Sequence, residues 1–340
     1  MKRKLLFWIV LFIVVSSSAI GENLLWITRS LSDGDFVYVL FSYDLNNGDL
    51  HTYDLEMEQP CIIQGGKVDS AYIADYNYHY TGADRIDIYE WTNNNGYRFV
   101  DSYSVDDADG HVIAYKDGWL YAKTEENIVR MHQGTVQNLA AVPEDSYDQA
   151  LFKPAFSNEG NLAFWDSDGG YDGIRIIYPE GQTHHNGFIR VYSSNYVDNH
   201  DAGLYFTPAP PLVWLDDTHI ICFAIRMKPD DLHEKIEYYT DALVIDIEQG
   251  SWSSYEDENG KPISFQEYQI NGYACIDSAQ KHLYLIYGGA LGEHWTLFEY
   301  NPHQIGVGEI SLKKGNIRSI ASFSRNSETM EEYSILTIVD

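Results

Sequence analysis

The sequence predicts an all-β fold, and three features of the chain support this expectation. Residues 154–177 contain three apolar runs separated by two breaks rich in turn-forming residues, so they form a compact unit of short strands. Apolar and polar residues alternate along much of the chain, as in Phe36–Phe41 and Arg85–Trp91. No helical pattern exceeds two turns outside the N-terminal segment. One such unit cannot bury its apolar face alone, so similar units stacked around an axis are expected.

Turns recur at regular distances and indicate the size of the repeat. Segments such as Asn46–Asp49, Asn93–Gly96 and Asn158–Gly160 contain the residues that tight hairpins require. The turns that follow the innermost strands are placed at Asp117, Glu159, Asp217, Ala279 and Arg325, with intervals of 42, 58, 62 and 46 residues. The shorter intervals match a four-stranded blade of about 40 to 50 residues. The chain is therefore predicted to be a β-propeller with six or seven blades.

The chain divides into blade-sized segments at residues 31–66, 67–105, 106–143, 150–195, 204–255 and 268–313, followed by 316–340. The last segment supplies only two strands, Ile317–Phe323 and Tyr333–Val339, and Leu24–Thr28 could complete it. Pairing of the N- and C-terminal strands would close the ring and remove exposed strand edges. A β-sandwich or two smaller β domains are the alternatives, but no linker rich in Pro, Ser or Gly divides the chain.

Residues 154–177 resemble the WD40-like (PD40-type) repeat of TolB-type propellers. Phe156-Ser157, Gly160, Leu162–Phe164, Asp168-Gly169 and Ile174 fall where that repeat has Ser-Pro-Asp-Gly, Ile-Ala-Phe, a charged residue with glycine, and Ile-Tyr. Asn158 replaces the usual proline, and the arginine before Gly169 is absent. About one blade matches well, and the other blades are degenerate. The resemblance implies a binding scaffold, and since no peptidase domain follows in this sequence, the hydrolase activity of some relatives is not expected.

The first 21 residues predict export. Lys2, Arg3 and Lys4 precede an apolar run from Leu5 to Val15, and Ser16–Gly21 follows, which is the order of a secretory signal. The apolar run is shorter than the about 18 to 20 residues that span a bilayer. We therefore expect a signal peptide at 1–21 and a single propeller domain at 22–340, secreted or on an extracytoplasmic surface. A retained N-terminal anchor is the alternative, and no other segment is expected to span a membrane.

The composition favours some partners and disfavours others. The chain has 22 basic and 51 acidic residues, and removal of residues 1–21 changes its formal charge from −29 to −32. Such a surface repels nucleic acid and attracts cations or basic partners, although it also simply favours solubility. Cys61, Cys222 and Cys275 lie in apolar contexts and are expected to be buried thiols, with a bridge between Cys222 and Cys275 left open.

One face of the predicted propeller carries the long loops. With the strands of a blade labelled A to D from the axis outwards, the insertions at 193–210, 227–240 and 256–268 belong to D–A and B–C connections, which share a face. The carboxylates and aromatic rings there suit a sugar, a cation or a basic peptide, unless they are solvated turn residues. The candidate ligand-binding residues are Trp165, Asp166, Asp168, Asp172, Tyr196, Asp198, His200, Asp201, His233, Glu234, Tyr238 and His294.

No motif of catalysis or cofactor binding stands out in the sequence. Asp166–Asp172 and Asp106–Gly110 resemble calcium loops that lack required ligands. His233–Glu237 lacks the second histidine of a zinc helix, and His184-His185 is expected to be solvent-exposed. We therefore predict an exported, monomeric, non-enzymatic scaffold without a cofactor, which binds a protein, a peptide or a surface glycan.

Two other functions remain open on the sequence. The first is a carbohydrate-active enzyme, a glycosidase or lyase with a carboxylate pair over the central channel, for which Asp166, Asp198 and Glu234 are the candidates. The second is a glycan-binding module whose acidic loops are stabilised by a structural calcium ion, because the chain is strongly acidic.

Overall fold

A computed structural model describes residues 22–32, 35–58, 60–63, 66–68, 70–77, 84–92, 96–105, 111–123, 127–141, 155–168, 171–179, 183–191, 204–205, 212–229, 236–266, 269–277, 282–289, 301–324, 330–332 and 337–339. These residues form strands and turns, without a helix. The strands make six antiparallel sheets, which are the six blades of a β-propeller.

Blade 1 contains strands from both ends of the chain. Its order from the axis outwards is β28 (Thr337–Val339), β1 (Asn23–Ser32), β2 (Asp35–Asp44) and β3 (Leu50–Leu55). Two short strands are attached to it: β27 (Met330–Glu332) pairs with β1, and β5 (Gly66–Val68) pairs with β28 in parallel.

Blades 2 to 4 each contain four strands that follow one another in the sheet from the axis outwards. Blade 2 is β4 (Pro60–Ile62), β6 (Ala71–Asn77), β7 (Asp84–Thr92) and β8 (Gly96–Val105). Blade 3 is β9 (His111–Lys116), β10 (Trp119–Lys123), β11 (Asn127–His132) and β12 (Thr135–Ala141). Blade 4 is β13 (Ala155–Phe156), β14 (Leu162–Asp168), β15 (Tyr171–Ile177) and β16 (Thr183–Arg190).

Blades 5 and 6 follow the same plan, but the inner and outer strands of blade 5 are each split in two. Blade 5 is β17 (Leu204–Tyr205) with β18 (Val213–Trp214), then β19 (His219–Pro229), β20 (Ile236–Asp246), and β21 (Ser251–Ser254) with β22 (Ser264–Gln266). Blade 6 is β23 (Gln269–Asp277), β24 (His282–Gly289), β25 (Asn301–Ser311) and β26 (Asn316–Ser324). The inner strands of neighbouring blades touch, since β13 contacts β18, β18 contacts β23 and β23 contacts β28.

The predicted closure of the ring by the two chain ends is confirmed. Strand β1 pairs with β28 through Asn23 with Val339, Leu24 with Ile338, and Leu25 with Thr337. The C-terminal strand thus supplies the inner strand of a blade whose other three strands come from the N-terminal part of the domain. This arrangement satisfies the inner edge of β1, which would otherwise expose unpaired backbone groups.

The described strands form six blades and not seven. The expected division of the chain into blades was wrong at the N- and C-terminal ends of the domain. Residues 316–324 are the outermost strand of blade 6, and residues 337–339 belong to blade 1. The last predicted segment is therefore divided between blade 6 and blade 1. Arg325 lies outside the described residues, but the strand that precedes it, β26, is an outermost strand rather than the expected innermost one. By contrast, the turns at Asp117 and Glu159 do follow inner strands, and Asp117 adopts the positive φ that such a hairpin needs, at 52°.

Apolar side chains of adjacent blades interlock in six clusters, one at each blade interface. Blades 1 and 2 share a cluster that includes Leu40 and Trp91, while Trp26 and Cys275 help to join blade 1 to blade 6. Each fully buried large apolar side chain contributes about 1.5 to 3 kcal/mol relative to an exposed one. A closed sequence of such interfaces makes the propeller a rigid scaffold. The three cysteines are free thiols, and Cys222 and Cys275 are buried as expected.

Hydrogen bonds between turns reinforce the ring on the face that carries the A–B and C–D turns. Lys116 Nζ donates to the backbone oxygen of Ser157 at 3.0 Å, and the backbone nitrogen of Glu159 donates to Asp217 Oδ1 at 3.2 Å. These contacts join blade 3 to blade 4 and blade 4 to blade 5. Within the described part of the chain, no helix is long and apolar enough to cross a membrane.

Candidate functional site

The predicted ligand-binding residues are only partly within the described structure. Residues Tyr196, Asp198, His200, Asp201, His233, Glu234 and His294 lie outside it. Trp165 is buried, with 2% of its surface exposed, and packs in the core between blades 4 and 5. The ring therefore serves as a packing element, and a ligand-binding role for it stays a prediction.

Four other predicted residues have described backbones. Three of them, Asp166, Asp168 and Asp172, lie near the end of the β14–β15 hairpin of blade 4. In the strand register, Asp166 pairs with Gly173, Ser167 with Asp172, and Asp168 with Tyr171. Tyr238 pairs with Met227 near the end of the β19–β20 hairpin of blade 5. Both hairpins are B–C connections, as predicted, which brings these backbone positions to the same face of the propeller.

A different surface has a well-described site geometry, in the outer half of the interface between blades 1 and 2. We call it the aromatic ledge, and its members are Tyr53 of β3, Tyr89 and Trp91 of β7, and Tyr97 and Phe99 of β8. Alternate residues of a strand share a face, and Tyr89, Trp91 and Tyr97 pack with the cluster shared by blades 1 and 2. Phe99 pairs with Tyr89 in register and continues the same face.

The rings of the aromatic ledge contact one another edge to face. The centroids of Tyr53 and Trp91 are 4.7 Å apart with an interplanar angle of 64°, which joins blade 1 to blade 2. Tyr89 contacts Tyr97 at 5.9 Å and 85°, and Phe99 at 5.9 Å and 78°. This geometry is the preferred one for aromatic pairs and holds each ring in a defined orientation.

The aromatic ledge is open to solvent at two of its rings. Phe99 is 57% exposed and Tyr53 is 39% exposed, whereas Trp91 below them is buried. An irregularity in the β7–β8 register brings Phe99 opposite Tyr89 but Asp101 opposite Ile88. The extra residue at this bulge, Val100, reverses the alternation on β8, so Phe99 faces blade 1 while Asp101 faces blade 3. Large apolar side chains exposed at one blade interface are typical of a contact surface.

Two buried carboxylates lie on the same face as the aromatic ledge. Asp75 of β6 and Asp87 of β7 are opposite each other in the register, and they are 5% and 2% exposed. Asp87 is followed two residues later by Tyr89, so the carboxylates adjoin the rings along the sheet. The exposed Arg85 donates to Asp87 from its guanidinium group.

The electrostatics of Tyr89 reflect this neighbourhood. The pKa of Tyr89 is raised above its ordinary value, chiefly because the side chain is partly removed from water and then because Asp87 and Asp75 are negatively charged. Arg85 opposes the effect. The hydroxyl therefore stays protonated and available as a hydrogen-bond donor at neutral pH.

A concave region of about 760 Å³ is lined by residues of blade 5, but its best-defined polar groups are hydrogen-bonded within a turn. Asp216 Oδ1 accepts from the backbone nitrogens of Thr218 and His219, both at 2.8 Å. His219 Nδ1 is 2.9 Å from the same oxygen. Partial burial opposes the ionisation of Asp216, but these hydrogen bonds prevail and lower its pKa. The Asp216–His219 pair therefore stabilises the A–B turn of blade 5.

The described residues contain no group of three or more His, Cys, Asp or Glu side chains placed to hold a metal ion. The structural calcium ion considered as an alternative remains a prediction.

The aromatic ledge could not be distinguished from core in the sequence. Aromatic residues at alternating positions of a strand indicate packing between blades, and Trp91 is indeed buried. One sequence feature could have indicated exposed rings: Tyr97 and Phe99 lie on the outermost strand of a blade, where polar residues are the norm. That signal required the boundaries of blade 2 and the bulge in β8, neither of which the sequence pattern specifies.

Comparisons with known proteins support the fold. No protein-family model matches the chain, and none of the curated proteins matches it. The crystal structure of a protein from Lactobacillus plantarum has a TM-score of 0.50 and 12% sequence identity, over 94% of this chain and 100% of that one. A mutant of puromycin hydrolase complexed with PGG has a TM-score of 0.40 and 12% identity, over 88% of this chain. This chain spans 46% of the hydrolase chain. At such identities the likeness to the Lactobacillus plantarum protein concerns the fold alone, and that fold is a six-bladed β-propeller.

Proposed function

We propose that this chain is an exported, non-enzymatic β-propeller related to the TolB type, which binds a protein, a peptide or a surface glycan through the aromatic ledge. The order of residues 1–21 supports export. The resemblance of residues 154–177 to the PD40-type repeat supports the TolB relationship. The turn of this repeat is stabilised by a hydrogen bond in which the backbone nitrogen of Asn161 donates to Ser157 Oγ at 3.1 Å.

The observation that carries the proposal is the exposure of both Phe99 and Tyr53, two rings of the aromatic ledge that are held on strands of the same blade interface. Exposed aromatic rings are unfavourably hydrated, and a partner that covers them gains the free energy of burial. The rings are already oriented by their edge-to-face contacts, so binding would cost little side-chain entropy. Aromatic side chains with these properties are the typical anchors of protein and ligand interfaces.

The test is a screen of the protein without residues 1–21 on a glycan array and a peptide array, together with glycosidase and peptidase substrates. The variant Tyr53→Ala/Phe99→Ala removes both exposed rings. The control is Val136→Ala, which removes an equally exposed apolar side chain from β12 of blade 3. We expect ligands of the wild type to bind the ledge variant about tenfold more weakly and the control unchanged.

Two results would refute this function. Array ligands that bind the ledge variant as well as the wild type would show that the contact surface lies elsewhere. Turnover of a substrate would indicate an enzyme, and loss of that turnover on replacement of Asp166, Asp198 or Glu234 would assign the carboxylates of the carbohydrate-active alternative.

A further inference from the structure

The structure also indicates the chemical class of the ligand, an inference that rests on the proposed function of the aromatic ledge. We propose that the ledge receives a cation, specifically an arginine or lysine side chain of a basic protein segment. Three features of the molecule support this ligand: the cations that cover its other aromatic rings, the charge beside the ledge, and the charge of the whole chain.

Elsewhere in the molecule, cationic side chains of the chain itself cover aromatic rings. The guanidinium of Arg130 lies 4.6 Å from the ring centroid of Trp119, and Lys116 Nζ lies 5.3 Å from that of Phe156. Arg175 lies 5.7 Å from Phe188. Among the described residues, no cation lies over Tyr53 or Phe99. The faces of these exposed rings are therefore open to a cation from a partner, and such a contact is attractive because of the ring quadrupole.

The charge next to the rings favours the same class of ligand. Asp75 and Asp87 are two carboxylates on the ledge face, and Arg85 donates to Asp87. The neighbouring cation on β8, Arg98, belongs to the opposite face, where its guanidinium donates to Glu90 Oε2. At Tyr89 the electrostatic effect of each of the two carboxylates is larger than that of Arg85, so a cationic group over this ring meets a predominantly negative potential. The interaction is stronger for buried carboxylates, since solvent screens them less.

The net charge of the whole chain also favours a basic partner. Its formal charge of −29 attracts basic segments from a distance and raises their rate of association. Charge alone would bind a basic segment anywhere on the surface, whereas the aromatic ledge supplies the local geometry that selects one position. A neutral sugar would use the rings but gain nothing from the carboxylates, so it is the less favoured occupant.

Isothermal titration with two peptides tests the inference: hexa-arginine, and hexa-citrulline, which has nearly the same shape without the charge. Phe99→Leu keeps an apolar side chain but removes the ring, and Phe99→Trp keeps a ring. Val136→Leu is the control on blade 3. We expect Phe99→Leu to weaken hexa-arginine binding about two- to fivefold, Phe99→Trp to restore it, and the control to equal the wild type. Hexa-citrulline should bind at least tenfold more weakly than hexa-arginine.

Other outcomes separate the cation inference from the proposed function. If hexa-arginine does not bind, or binds Phe99→Leu like the wild type, or binds no better than hexa-citrulline, the ligand of the ledge is not a cation. In that case a neutral glycan or peptide whose array binding needs Tyr53 and Phe99 would leave the proposed function intact. If no array ligand depends on these rings either, both proposals are wrong.

Discussion

At the scale of single residues, Asp216 shows how an acidic side chain in this protein serves structure rather than chemistry. Its carboxylate accepts the backbone nitrogens of Thr218 and His219 and thereby fixes the turn between β18 and β19. We expect Asp216→Ala to lower the free energy of unfolding by about 1 kcal/mol, since each such hydrogen bond contributes about that much. Chemical denaturation at pH 7 measures it. Asp54→Ala, which removes an exposed carboxylate from β3, is the control and should change stability little.

The pH dependence of the Asp216 contribution has a definite sign. The pKa of Asp216 is lower in the folded protein, so the folded state favours the ionised form. The stabilisation is therefore complete above the pKa of the unfolded state, about 3.9, and is lost as the pH falls through the folded-state value. The stability difference between the wild type and Asp216→Ala should shrink below about pH 4. A difference that persists unchanged at pH 2.5 would contradict this account.

At the scale of secondary-structure elements, Gly173 permits the close approach of β15 and β16 in blade 4. A Cβ atom at this position would lie 2.5 Å from the backbone oxygen of Ile189 and 2.6 Å from Cζ of Phe188. Because the oxygen belongs to a paired strand, it cannot move without disturbing the sheet. We expect Gly173→Ala to lower the free energy of unfolding by about 2 kcal/mol. Gly134→Ala is the comparison, since its Cβ would meet no atom and its positive φ alone costs about 1 kcal/mol. Equal stability of the two variants would refute the close-approach argument.

The elements themselves were largely predictable, because alternating hydrophobicity and turn residues are local signals. Segments such as Arg85–Trp91 and Leu283–Tyr287 fall within β7 and β24. The outer surface of a blade is harder to predict, because exposure depends on how far the next blade extends. Trp91 and Phe99 lie on neighbouring strands and face the same way, yet only Trp91 is covered. A sequence pattern therefore assigns both to a face and cannot tell which of them reaches solvent.

At the scale of the whole molecule, the C-terminal strand holds the ring closed. β28 pairs with β1 on one side and with β5 on the other, so it joins blade 1 to the segment between β4 and β6 of blade 2. Deletion of residues 337–340 should lower the free energy of unfolding by more than about 2 kcal/mol, because several backbone hydrogen bonds are lost at once. Thermal unfolding compares it with deletion of Asp340 alone, which leaves β28 whole. A truncated protein with the melting temperature of that control would mean that the pairing of β28 contributes nothing to closure.

The number of blades depended on this same closure and therefore could not be fixed from local patterns. The two terminal segments each look like part of a blade, and only their pairing shows that they form one. The ligand-contacting residues of the candidate binding face could not be predicted from local patterns either. Turn spacing placed the β14–β15 and β19–β20 hairpins on one face, as the structure has them, but the residues that would contact a ligand depend on loop conformations that no periodicity encodes.

Hydrogen–deuterium exchange of the protein with and without hexa-arginine tests whether the aromatic ledge is the binding surface. If it is, amide exchange should slow in β3, β7 and β8, at residues 50–55, 84–92 and 96–105, and should not change in blades 3 and 4. Protection at residues 193–210 or 227–240 instead, with none at the ledge, would contradict it and assign recognition to the loop face that the sequence first suggested.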